Sequence, residues 1–149
     1  MKKITTEIEI NAPKNLVWAE LMNHELYKEW NPFILSVEGI PEVGNEITVL
    51  IKQDDKKNMV FKPEVLTNAP EREFRWKGKL FVKGLFDGEH YFILEQLEET
   101  KTRFIHGENF TGIMVAPLLK MIGETTLKGF ESMNSALKLR CENKMLKTV

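Results

Sequence analysis

The last third of the chain, residues 117–147, constrains everything before it. Leu119, Ile122, Thr126, Phe130, Met133 and Leu137 recur there at spacings of three and four, with Met121, Leu127 and Ala136 at the flanks. Such a stripe belongs to one long amphipathic helix, and it demands an apolar partner along its length. Glu124, Lys128, Glu131, Lys138, Arg140 and Glu142 fall mostly on the opposite side, as a solvated face does. Pro117 suits a first helical position, where its missing N–H costs nothing. Gly123 and Gly129 each cost roughly 1 kcal/mol against alanine inside a helix. They call either for close backbone packing against a curved sheet or for room kept for a ligand between helix and sheet.

The upstream pattern supplies that sheet. Ile4, Thr6, Ile8 and Ile10 alternate with Thr5, Glu7 and Glu9, the mark of a half-buried strand. Asn11-Ala12-Pro13 turns into a short helix with Pro13 at its first position, carrying the pairs Val17/Leu21 and Trp18/Met22. A second helical turn holds Leu26, Tyr27 and Trp30 before Asn31-Pro32 stops it. Strands are then expected over 33–38, 46–52, 59–67, 73–79, 85–97 and 102–111. A charged hairpin tip lies at 54–58, Pro63 falls at an edge or bulge, and a turn lies at 98–101. Helices segregated from a run of strands indicate an α+β fold with an antiparallel sheet. A sheet of this many strands curls, and against one long helix it encloses a hollow.

At 149 residues, without repeats or linkers, the chain reads as a single domain spanning 1–149. A net charge of −1, from 21 basic and 22 acidic residues well mixed along the chain, offers no basic stripe for phosphates. Nucleic acid is therefore not an expected partner. The lone Cys141 cannot form an internal disulfide and suggests a reducing compartment. The N-terminus turns polar too early for a signal peptide, and the apolar run 112–119 is too short to span a bilayer. A cytoplasmic protein without stable membrane insertion is expected, as a monomer or homodimer.

Three phrases carry a resemblance. The first is Ile10-Asn11-Ala12-Pro13, followed by Val17-Trp18 and Tyr27-Lys28-Glu29-Trp30-Asn31-Pro32-Phe33. The second is Gly88-Glu89-His90-Tyr91-Phe92-Ile93-Leu94-Glu95, and the third Thr102-Arg103-Phe104-Ile105-His106-Gly107-Glu108-Asn109-Phe110-Thr111-Gly112. With the terminal helix they cover nearly the whole chain. The sequence resembles the START/Bet v 1-like superfamily, and within it SRPBCC domains of the polyketide cyclase/dehydrase or carbon-monoxide-dehydrogenase-subunit-G type. The resemblance implies a helix-grip fold, in which the sheet wraps the C-terminal helix around an apolar cavity. It also implies lipid-like, aromatic or polyketide-like ligands, with catalysis in only some members.

Alternation puts His90 and Phe92 on one face of the first long strand, and Phe104, His106, Glu108 and Phe110 on one face of the second. A turn near Glu99-Thr100 sets His90 opposite about Glu108, with His106 one pleat away. A His–Glu pair in an apolar pocket serves acid–base chemistry, anchors a ligand, or merely satisfies itself and fixes register. On the binding reading, Phe61 and Trp76 line the hollow with Phe92, Phe104 and Phe110, and the helix adds Ile122, Phe130 and Met133. His90, His106 and Glu108 are its polar contacts. His90 and Glu108 are also the catalytic candidates of the alternative, a cyclase/dehydratase-like enzyme. A third possibility is an accessory interaction protein with a vestigial cavity. Two histidines and one carboxylate on adjacent strands barely qualify as a metal site, with His24 in a distant helical region, and neither metal nor cofactor is expected. The connection 112–117 is a candidate lid.

Overall fold

The structure, a computed structural model, describes residues 1–80 and 82–147. β1 (Lys2–Ile10) turns its alternating side inward and ends on a fully buried Ile10. Two short helices follow, α1 (Lys14–Met22) and, after a 3-10 turn at His24–Leu26, α2 (Tyr27–Trp30). The strands then run β2 (Ile34–Glu38), β3 (Thr48–Lys52), β4 (Asn58–Phe61), β5 (Glu64–Ala69), β6 (Glu73–Leu80), β7 (Phe86–Glu98) and β8 (Lys101–Thr111). One long helix, α3 (Val115–Lys147), follows them.

Every pairing is antiparallel. β1-β8-β7-β6-β5 form one sheet and β2-β3-β4 another. The N–H groups of Gly44 and Ile47 donate to the carbonyls of Val65 and Pro63, and Val65 N–H donates to Asn45. These bonds carry the curve of the first sheet into the second, and α3 lies in the hollow. The fold is thus α+β of the helix-grip kind.

Toward its C-terminus α3 packs on α1, where Val17, Leu21, Leu137 and Cys141 are completely enclosed. Glu20 of α1 is buried as well, but Arg140 reaches its Oε2 at 2.6 Å and Lys144 pairs with its Oε1. Burial alone raises the Glu20 pKa. Hydrogen bonds and charge from Lys144 and Arg140 outweigh that and hold it below the ordinary carboxylate range.

Several boundaries differ from the sequence expectation, each for a local reason. Pro13 caps α1 instead of opening it: its ψ of 153° is extended, and its carbonyl accepts from Leu16 and Val17. Pro117 is the third residue of α3, still within the turn whose N–H groups lack helical partners. Residues 59–67 do not form one strand. Pro63 has no N–H for a ladder, and the chain breaks there, leaving β4 beside β3 and β5 beside β6. The proposed lid shrinks to a tight link. Gly112, at φ +128°, lies against the Leu85 backbone, while Ile113 and Met114 donate to the carbonyls of Gly84 and Leu85. Ile113 and Met114 face outward, so the link is neither a buried crossover nor a wall of the hollow.

The two helix glycines divide between the readings. The ring of Phe33 lies directly on Gly129, where any Cβ would collide with it, and Phe130 flanks the same ring at 5.5 Å. Gly123 meets only the Leu119 Cβ, at 4.0 Å. Gly123→Ala should therefore stabilise the protein by about 0.5–1 kcal/mol, the ordinary helix effect. Gly129→Ala should instead lower Tm, because overpacking a fixed ring costs about 1–3 kcal/mol. Thermal denaturation of the two variants checks this, and equal stabilisation by both would refute the seating of Phe33.

Candidate functional site

The hollow is solid in its middle and open at one end. In the solid part, the rings of Phe92 and Phe104 stack at 5.8 Å, and Phe130 from α3 stacks on His106 at 4.1 Å. The open part is a cavity of about 100 Å³ under the first third of α3. Its sheet wall is Trp76, Phe86, His90, Glu108 and Phe110. Val49, Ile51, Met59 and Phe61 face them from β3 and β4, while α3 contributes Ile122, Thr125 and Thr126. Phe33 borders the cavity too, and Lys52, Gln53 and Lys79 stand at the rim.

Of the residues expected to line the hollow, Phe61, Trp76, His90, Glu108, Phe110 and Ile122 come together around this cavity. Phe92, Phe104, His106, Phe130 and Met133 sit in the closed core beside it. The difference lies in side-chain volume. Large rings meet across the middle of the hollow, whereas Gly78, Gly88, Thr125 and Thr126 leave space at the open end. Helix glycines play no part in that space.

Register places His90 directly opposite Glu108 and Phe92 opposite His106. Nδ1 of His90 lies 3.6 Å from Oε2 of Glu108. The Trp76 ring stacks on the His90 ring at 4.8 Å and 11°, and both rings border the cavity. Glu108 bends over Gly88, where any side chain would strike its carboxylate. An isolated glycine within a strand pattern is the sequence signal for such close approach, and at Gly88 it went unread.

Behind the pair lies a chain of hydrogen bonds. His90 Nε2 is 2.8 Å from His106 Nε2, and His106 Nδ1 is 2.9 Å from Asn134 Oδ1. Asn134 Nδ2 donates to Thr6 Oγ1 at 2.8 Å, and Thr6 Oγ1 donates to the His106 carbonyl at 2.8 Å. Asn134 interrupts the apolar stripe between Phe130 and Leu137, and Thr6 interrupts the isoleucines of β1. A polar residue on a buried face is the signal that identifies both.

Burial, and next the neighbouring His90, push the pKa of His106 well below its usual value; hydrogen bonding to Asn134 and to the Phe130 backbone opposes this only in part. His106 is thus a neutral ring inside the core. His24 does not border the cavity; it packs against Tyr27 and Phe74, and burial lowers its pKa to about 4. Among the described residues no group of three or more His, Cys, Asp and Glu could hold a metal ion. None of the described helices is long and apolar enough to cross a membrane. Chemically, the open end can accept a hydrogen bond from a bound molecule, or shift a proton between Glu108, His90 and that molecule.

A model of the family described as polyketide cyclase / dehydrase and lipid transport matches residues 1–142. Among solved structures, the Zhui aromatase/cyclase from Streptomyces sp. R1128 is similar at TM-score 0.74 and 13% identity, over 97% of this chain and 95% of that one. A START superfamily protein from Mycobacterium smegmatis is similar at 0.71 and 17%, over 95% and 97%. Ara h 8.0201 is similar at 0.71 and 15%, over 95% and 98%. At these identities the likeness is one of fold. No curated protein matches the chain.

Both His24 and His106 resist protonation in the folded chain, while in the unfolded chain they titrate at the ordinary value of 6.5. As pH falls below 6.5 the unfolded chain gains protons that the folded chain refuses, so stability falls, down to about 4 for His24. Stability should be level above pH 7 and decline on acidification toward pH 5, by up to roughly 1.4 kcal/mol per pH unit for each histidine, with Tm falling alongside. His24→Gln should flatten that decline. Calorimetry across this range checks it, and a Tm that rises on acidification would contradict the burial of both rings as neutral species.

Proposed function

The chain belongs to the polyketide cyclase / dehydrase and lipid transport family, and on that premise we propose that it binds a small hydrophobic molecule in the cavity beneath the first third of α3. One observation carries this reading. The cavity has mainly aromatic and aliphatic walls, and its polar groups are few: His90 and Glu108 pair on the sheet side, and the hydroxyls of Thr125 and Thr126 come from α3. Apolar walls with few converging polar groups are the usual make-up of a small-molecule site.

Size narrows the ligand. A closed apolar cavity of about 150 Å³ accepts a benzene, so the 100 Å³ here takes about one ring or a short branched chain. A larger molecule keeps the remainder at the rim, beside Lys52, Gln53 and Lys79. Lipid-like and aromatic or polyketide-like molecules both meet this description, with one apolar end inserted.

The His90–Glu108 geometry favours a second reading, a cyclase- or dehydratase-like enzyme acting on such a ligand. Proton transfer needs an acid–base pair that a bound substrate can touch, and both residues border the cavity. On that reading His90→Ala or Glu108→Gln abolishes turnover while ligand still binds.

Native mass spectrometry of freshly purified protein, followed by small-molecule analysis of the denatured extract, is the direct test. A stoichiometric adduct is expected in the wild type. Thr126→Phe, which fills the cavity from α3, should lose the adduct and all thermal stabilisation by apolar compounds while remaining folded. Retention of both by a folded Thr126→Phe protein would remove the cavity from consideration.

A further inference from the structure

The direction of the hydrogen-bond chain behind the site can be worked out from its far end. The His106 carbonyl can only accept, so the Thr6 hydroxyl spends its proton there. Thr6 Oγ1 must therefore accept from Asn134, which presents its NH₂ group to Thr6 and its Oδ1 to His106. An amide oxygen only accepts, so Nδ1 of His106 carries the hydrogen. His106 is a neutral ring, hence its Nε2 bears a lone pair, and at 2.8 Å His90 must donate to it from Nε2. The remaining ring nitrogen of His90, Nδ1, is the one that faces Glu108.

We propose that Asn134 and Thr6, acting through His106, lock His90 with Nε2 protonated, so that this end of the cavity presents two acceptors, His90 Nδ1 and the Glu108 carboxylate, and selects ligands that bring a hydrogen-bond donor inward. The selection rests on the reading of the cavity as a ligand site; the lock does not. Two acceptors 3.6 Å apart are satisfied together by one hydrogen donated from between or beside them. A hydroxyl or ammonium group supplies it, whereas an ether, ester or carboxylate oxygen meets like against like. The reverse tautomer of His90, or a ring carrying a hydrogen on both nitrogens, would donate to Glu108 from Nδ1 and leave no unfilled acceptor on the ring. Asn134 and Thr6 are positioning residues on this account. Neither borders the cavity, and they lie 128 positions apart in the chain.

The test combines nitrogen NMR of ¹⁵N-histidine-labelled protein with binding of phenol and of anisole, two probes of one-ring size that differ in the donor. Wild-type spectra should show His106 protonated at Nδ1 and His90 at Nε2, and phenol should bind about tenfold more tightly than anisole. Asn134→Leu removes the acceptor that orients His106, and Thr6→Val removes the group that orients Asn134. Each should loosen the tautomer signature and shrink the preference for phenol, which lost packing alone would not do. Glu108→Gln should keep the wild-type tautomers yet lose the preference, because its amide can donate as well as accept. His90 protonated at both nitrogens in the wild type would overturn the selection. His90 with its only hydrogen at Nδ1 in the wild type would overturn the lock, even if a variant failed to fold. So would unchanged tautomers in both Asn134→Leu and Thr6→Val. Equal binding of phenol and anisole would overturn the selection. Binding of neither probe would overturn the selection together with the cavity reading, and the spectrum distinguishes that result from failure of the lock.

Discussion

Phe130 of α3 stacks on His106 of β8 with ring centroids 4.1 Å apart, and the rest of the interior is arranged around that contact. On one side of it, toward the C-terminus of α3, Phe104, Met133, Leu137 and Cys141 are fully enclosed, and Glu20 clasps Arg140 and Lys144 across two helices. On the other side the rings give way to Gly88, Thr125 and Thr126, and the hollow stays open. Stacking sets how closely α3 can approach the sheet at its midpoint. Phe33, seated on Gly129 one residue earlier and flanked by Phe130, sets it beside that stack. Between them they turn a long helix over a curved sheet into a sealed core with a cavity at one end.

Burying two histidines and an asparagine among aromatic rings is costly unless every polar atom finds a partner. The chain from Thr6 through Asn134 and His106 to His90 meets that requirement within the protein at each link except the last, at 3.6 Å beside the cavity. A network satisfied everywhere but at its mouth differs from a purely structural one, which closes on itself. The loose end lies where a ligand would touch it, and the Trp76 ring, stacked flat on His90, prevents the imidazole from turning to find another partner.

Much of this was legible before any coordinates. The facing of His90 and Glu108 follows from strand alternation and one turn position, since two antiparallel strands joined by a short turn have little freedom in register. The aromatic side of β7 and β8 was readable for the same reason. Pro63 was recognised as an irregularity but not as a break, because a proline at an edge and a proline between two sheets look alike locally. Five expected lining residues, Phe92, Phe104, His106, Phe130 and Met133, share the faces that bear the cavity and yet lie in solid core. Periodicity names a face and is silent about how far along it the opposing rings meet.

Apart from the break at Pro63, the order and type of the elements, the antiparallel pairing of β7 with β8, and the amphipathic design of α3 were determined by sequence alone, because each depends on neighbours within a few residues or across one tight turn. Membership of the family was likewise carried by phrases spread in order along the chain. Only the tertiary structure decided which end of the hollow remains open, that Phe33 occupies the space left by Gly129, and that Asn134 and Thr6 stand behind the histidines. Those outcomes depend on the angle and height at which α3 crosses a curved sheet. That crossing is set by ring volumes meeting from segments far apart in the chain, and no local pattern records it.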